Sequence, residues 1–93
     1  MSINLNFNKI GNKGAETIAE ALTINKNLNE LYLECNEIND EGVKSICQSL
    51  KLNTTISKIN LYSKKLTPYV IVDVAMLLKM KGDKFKIDIG KDK

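Results

Sequence analysis

The chain is 93 residues long, 43% hydrophobic and 27% charged, with a formal net charge of +3; this is the make-up of one small soluble globular domain and excludes a disordered or fibrous chain. Its longest apolar stretch, around Val70 to Leu78, is broken by Asp73 and falls well short of the roughly 20 residues a membrane-spanning helix needs. Histidine and arginine are both absent, so the commonest acid–base group of enzymes and the usual phosphate clamp are missing.

Taken in chain order, the first predicted element is a short strand in which Ile3 and Leu5 alternate with polar neighbours. The apolar period then lengthens, because Ala15, Ile18, Ala19 and Leu22 stand at i, i+3, i+4 and i+7 and predict a helix near Asn12–Ile24. Asn25 follows it as a stop, being tolerant of the left-handed region. The same order returns at a step of 28 residues: Leu31 and Leu33 for a strand, then Val43, Ile46, Cys47 and Leu50 for a helix near Asp40–Leu52, then Asn53. A third passage places Ile59 and Leu61 on a strand and Ile71, Val74, Ala75 and Leu78 on a helix near Pro68–Lys81, with Thr67 and Pro68 as cap and first helical residue. Ile87 and Ile89 open the pattern a fourth time, and Ile24, Leu52 and Met80 add one more apolar column.

A unit with one apolar strand face and one apolar helix stripe cannot bury both alone, so neighbouring units must stack. The expected fold class is α/β: a right-handed solenoid with parallel strands on the concave side and the wider helices on the convex side. It is expected as a single domain over residues 1–93, in units of about 3–30, 31–58 and 59–86, closed by a short strand and a polar tail at 87–93.

The second unit reads Leu31-x-Leu33-x-x-Asn36-x-Ile38-x-x-x-Gly42-Val43-x-x-Ile46-Cys47-x-x-Leu50-x-x-Asn53, and the first matches it through Ile3, Leu5, Asn8, Ile10, Gly14, Ala15, Ile18, Ala19, Leu22 and Asn25. This pattern resembles the long leucine-rich repeat of ribonuclease inhibitor, over nearly the whole chain. Similar repeats occur in the sensor arrays of intracellular innate-immune receptors and in the activating protein of the small GTPase Ran, and the resemblance implies a repeat that works by holding another protein. In that family the asparagine after the strand turns inward to satisfy loop backbone groups, which implies structural roles for Asn8 and Asn36 alongside the helix stops Asn25 and Asn53. The third unit departs from the pattern at Lys64, Val70 and Lys81 and reads as a closing cap. The N-terminal edge has nothing over Ile3, Leu5, Ile10, Ile18 or Leu22, and is expected to be exposed and to pair with another chain, an identical one included, or else to belong to a piece of a longer array.

Strand alternation turns the residues flanking Leu31 and Leu33 into the concave hollow. The candidate protein-binding residues are therefore Glu30, Tyr32, Glu34 and Cys35, with Lys58, Asn60 and Tyr62 beside them and Phe7 at the rim; aromatic side chains are the usual interface anchors. Ser2, Asn4, Asn6, Ser63, Lys86 and Asp88 complete the same floor. Cys47 is expected to be a small buried apolar residue and Cys35 a surface thiol without an activating cation in the nearby sequence. Two cysteines without histidine make neither a disulfide framework nor a metal site, and with no apolar leader they point to a reducing, cytoplasmic setting. No catalytic residue, cofactor or metal is expected.

Function on this reading is a non-catalytic protein-interaction scaffold. Two alternatives stand beside it. Residues 58–93 carry nine lysines against four aspartates while residues 1–57 carry five against seven acidic residues, so the lysine-rich half is a candidate for nucleic acid or an anionic surface, although no aromatics interleave the lysines. The same asymmetry suits a structural block that assembles end to end.

Overall fold

The computed structural model describes residues 1–90. Its elements alternate as β1 (Ser2–Asn4), α1 (Gly11–Ile24), β2 (Glu30–Tyr32), α2 (Asp40–Leu50), β3 (Lys58–Asn60), α3 (Val70–Lys81) and β4 (Lys86–Asp88). The strands form one parallel sheet in sequence order, with Ile3, Leu31, Ile59 and Ile87 side by side. Ladder bonds continue past the short strands: Leu33 N donates to the Asn60 carbonyl, and Cys35 N to that of Tyr62. Among the described residues no helix is long and apolar enough to cross a membrane.

The core runs between sheet and helices. Leu31, Leu33, Ile59 and Leu61 meet Ala15, Leu22, Val43, Ile46, Cys47 and Leu50, all buried. Only the middle of the array is fully closed: Ile3, Leu5, Ile10 and Ile18 at one edge and Leu66, Ile87 and Ile89 at the other are partly buried. Leu22, expected to be open at the first edge, is buried, because it projects toward the neighbouring unit's side of α1. Column 24, 52, 80 is not part of the core; Ile24, Leu52 and Met80 are all exposed at the C-terminal ends of the helices.

The third helix corrects the expected face. Val70, Val74 and Leu77 are buried, whereas Ile71 is 56% and Leu78 39% exposed and Ala75 is exposed. The cause lies in the column Gly14, Gly42, Val70. A Cβ on Gly42 would stand 2.5 Å from Asn12 Oδ1 and 3.2 Å from Ala15 Cβ, so α1 packs against α2 at a residue with no side chain. Valine fills that space in the third unit, and the helix turns by one residue to take Val70 into the core in place of Ile71. Thr67 and Pro68 are also left outside α3, with the Asp40 carboxylate accepting from Thr67 N and Oγ1.

Asparagines join the units. Asn36 is fully buried; its Oδ1 accepts from Asn8 N at 2.6 Å and Ile10 N at 3.3 Å, and its Nδ2 donates to the Leu5 carbonyl at 2.7 Å. Asn53 joins the same two units at the helix ends, donating to the Leu22 and Asn25 carbonyls of the first and accepting from Thr55 and Ile56 N–H in its own loop. Where asparagine is replaced, Lys81 donates from its ammonium to the Asn53 carbonyl, and partial burial lowers its pKa. Asn8, expected to turn inward, is exposed and donates to the Leu5 and Asn6 carbonyls of its own loop, because no unit lies on that side of it in the structure. The loops leaving β1 and β2 each hold two non-glycine residues at positive φ, Phe7 and Lys9 in one, Cys35 and Glu37 in the other.

Candidate functional site

Alternation along β2 buries Leu31 and leaves Glu30 and Tyr32 half exposed on the opposite face. Register then sets their neighbours, placing Glu30 beside Lys58 and Lys58 beside Lys86, with Tyr32 beside Asn60 and Asn60 beside Asp88. The side chains hold one another. Tyr32 Oη donates to Glu30 Oε1 at 2.9 Å, the Lys58 ammonium lies 5.5 Å from the centre of the Tyr32 ring, and Asn60 Nδ2 donates to Glu34 Oε1 at 3.2 Å. A cation over an aromatic face and a phenol bonded to a carboxylate each restrict rotamers, so the surface is ordered before anything binds to it.

Asparagine and aspartate finish the strands around this cluster. Asn4, Asn60 and Asp88 each accept, through Oδ1, from the backbone N–H two residues on. Tyr32 occupies that column in β2 and cannot do so; the N–H of Glu34 is served across the sheet by Asn6 Oδ1 at 2.7 Å. The exchange frees position 32 for an aromatic side chain at no cost in backbone hydrogen bonds, a role for Asn6 that periodicity alone did not assign.

Four of the expected site residues lie past the strand ends. Glu34 and Tyr62 stay over the floor through the continued ladder, and Gly90 packs close against the Tyr62 ring, where a Cβ would collide with it. Phe7 sits at positive φ in the loop after β1 and is 69% exposed. Cys35, at the equivalent loop position, lines a small pocket with Glu37, Ser63, Lys64 and Lys65; it stands apart from the cluster, with two lysines near it that are distant in sequence. Cys47 is buried, and burial first, then the Asp73 carboxylate, push its thiol pKa up to about 11, with Lys51 opposing. Among the described residues no group of three or more histidine, cysteine or acidic side chains is placed to hold a metal ion.

A parallel sheet of short strands at a fixed repeat step, the first three each followed by a helix, is the architecture of a leucine-rich-repeat fold. A family model described as Leucine Rich repeat matches residues 1–19 and 25–47. Among solved structures, one described as "Leiomodin-1 Actin-Binding Site 2 (ABS2)" superimposes with a TM-score of 0.77 at 24% sequence identity, over 95% of this chain. The chain spans 53% of that neighbour's length. No curated protein matches the sequence. The fold is thus an α/β leucine-rich-repeat solenoid, the parallel strands on its concave side and the helices on its convex side.

Proposed function

We propose that the chain is a non-catalytic protein-binding scaffold of the ribonuclease-inhibitor-like kind, holding a protein partner on its concave strand face. The observation that carries this reading is the interlocked cluster of Glu30, Tyr32, Lys58, Asn60 and Glu34. Aromatic and charged side chains of this sort, fixed in advance, lose little entropy on binding and act as anchors with complementary charge around them. Repeat length supports the subfamily, since each 28-residue unit has room for a full helix between strands. A neighbour of the same fold is described as an actin-binding site, which fits a fold used to hold proteins. Of the lysines on which nucleic-acid binding would draw, Lys58 and Lys81 are engaged within the chain.

The test is site-specific photocrosslinking in the native cell extract, with a photoreactive phenylalanine at position 32 and, as control, at the exposed convex position 44. A discrete protein adduct from position 32 only, lost on adding Tyr62→Ala, is the expected result. Equal labelling from both positions, or adducts to nucleic acid only, would reject the concave face. Purified actin serves as the first defined probe in the same format.

A further inference from the structure

The outermost columns of the three helices face solvent throughout the array but change character in the last unit. Positions 13, 41 and 69, then 16, 44 and 72, then 20, 48 and 76 are exposed in every helix, including α2, which has a helix on either side of it. Their exposure is therefore set by the convex side itself and not by the ends of the array. In α1 these columns hold Lys13, Glu16 and Glu20, and in α2 Glu41, Lys44 and Gln48. At the third helix they hold Tyr69, Val72 and Met76, which with Met80 form an apolar stripe 60–82% exposed.

We propose that a second copy of this chain covers the stripe across a two-fold axis, α3 antiparallel to α3, so that two solenoids stand back to back. This stands apart from the concave-face reading: the contact lies on the opposite side of the sheet, and each copy keeps its strand face open.

Area is the first argument. A helix that is apolar on both faces has both covered, and α3 already buries Val70, Val74 and Leu77 inward. The stripe runs about 16 Å along the helix and exposes on the order of 500 Å² per copy, in the range of patches that mark interaction sites. With the rim of α2 added, a pair buries about 1,200 Å² in all, the low end for specific interfaces, so association in the micromolar range is expected.

Self-complementarity selects a second copy as the occupant and fixes its direction. The stripe is centred on the level of Val74, with Val72 and Met76 two residues to either side and Tyr69 and Met80 five and six. An antiparallel pair sets Val72 against Met76 of the second copy and Tyr69 against its Met80, each contact occurring twice. Methionine adapts to such surfaces, and its sulfur packs well on an aromatic ring.

Charge agrees. On α2 the same level falls at Ile46, and the exposed Glu41 and Lys51 lie five residues to either side of it. A two-fold axis in the contact plane, perpendicular to the helices, lays α2 over α2, so Glu41 of each copy meets Lys51 of the other. Parallel pairing would carry the two α2 helices to opposite sides and forfeit both ion pairs. Glu16 and Glu20 of α1 hold matching places about Ile18 and would repel, but α1 lies two units from the contact, where the convex curvature has parted the copies.

Sedimentation equilibrium of the intact chain tests this. The mass is expected to rise through the micromolar range from that of the 10.4 kDa chain to twice that value and to stop there. Val72→Lys with Met76→Gln installs the residues that α2 carries at the same places and should leave a folded monomer; Tyr69→Glu, chosen in the same way, replaces that variant should it fail to fold. Glu41→Lys alone should raise the dissociation constant about tenfold, because two attractions become repulsions, and adding Lys51→Glu should restore it. A monomer at every concentration, growth past a dimer, an unchanged dimer in the stripe variants or no response to Glu41→Lys would overturn the proposal. So would a monomer that binds vesicles of anionic lipid through the stripe.

Discussion

Asn36 shows how much one side chain holds in a repeat. Its amide serves two N–H groups and a carbonyl of the preceding unit; the carbonyl, that of Leu5, also accepts from Asn8 Nδ2, so the two N–H groups lose most when the amide is removed. Asn36→Ala is expected to lower unfolding free energy in urea by about 1–3 kcal/mol, the penalty for stranded buried polar groups. Asn8→Ala, at an exposed position with bonds only inside its own loop, should cost under about 1 kcal/mol in the same assay. Sequence periodicity aligned the two asparagines but not their difference, which comes from having a neighbouring unit or not. Cys47 offers a second check. Its thiol binds a proton more tightly folded than unfolded, with the pKa raised from 9.0 to about 11. The neutral thiol is therefore tolerated below pH 9, and stability falls as pH rises toward 11, on the order of 2 kcal/mol more in the wild type than in Cys47→Ala. Chemical denaturation of both proteins at pH 7 and at pH 10.5 (~) measures the difference. With a thiol-reactive dye near neutral pH, half-exposed Cys35 should label well before buried Cys47.

Among the elements, α1 and α2 follow their apolar spacing and α3 does not, and the reason is legible only in hindsight. Apolar residues crowd α3, so the i, i+3, i+4, i+7 spacing fits Ile71, Val74, Ala75 and Leu78 in full, while Val70, Val74 and Leu77 fit it at i, i+4 and i+7 with Asp73 at i+3. Which set goes inward is decided by the absence of glycine at position 70, a packing fact between helices and not a period within one. Gly42→Ala should accordingly destabilise by about 1–3 kcal/mol through contact with Asn12 and Ile38, while Gly14→Ala, with only Ile10 to displace, should cost distinctly less in a thermal melt. The column Ile24, Leu52, Met80 misled in another way: helix ends project past the sheet, so an apolar residue there has no strand to cover it. Lys81 reads as a break in the asparagine column, yet its ammonium reaches the same carbonyl row; chemical type changed while the bond was kept.

At the scale of the whole molecule, the parallel sheet, its register and the order of elements were legible because one step of 28 residues governs them all. The concave cluster was legible in part. Alternation identified Glu30, Tyr32, Lys58 and Asn60 as neighbours, but the bonds linking them and the support from Asn6 depend on side-chain reach across strands, which no one-dimensional pattern contains. Because each unit touches only its neighbours, stability should grade from the middle outward. Hydrogen exchange is expected to be slowest for amides around Leu33, Ile46 and Leu50 and faster by an order of magnitude or more at β1 and β4; uniform protection along the chain would contradict an array built of nearest-neighbour contacts.

The positive φ angles of Phe7, Lys9, Cys35 and Glu37 reverse the usual rules of substitution at four places. Left-handed backbone costs an L-residue roughly 1 kcal/mol and is hardest on branched side chains. In a saturation library scored for folding, Lys9 and Glu37 should accept glycine or asparagine with a gain and reject valine and isoleucine, although nothing crowds their side chains. Ser63 and Lys65, at the matching places of the next loop and absent from the positive-φ residues, should show the ordinary preference, so that tolerance to mutation would itself trace where the chain abandons its own rhythm.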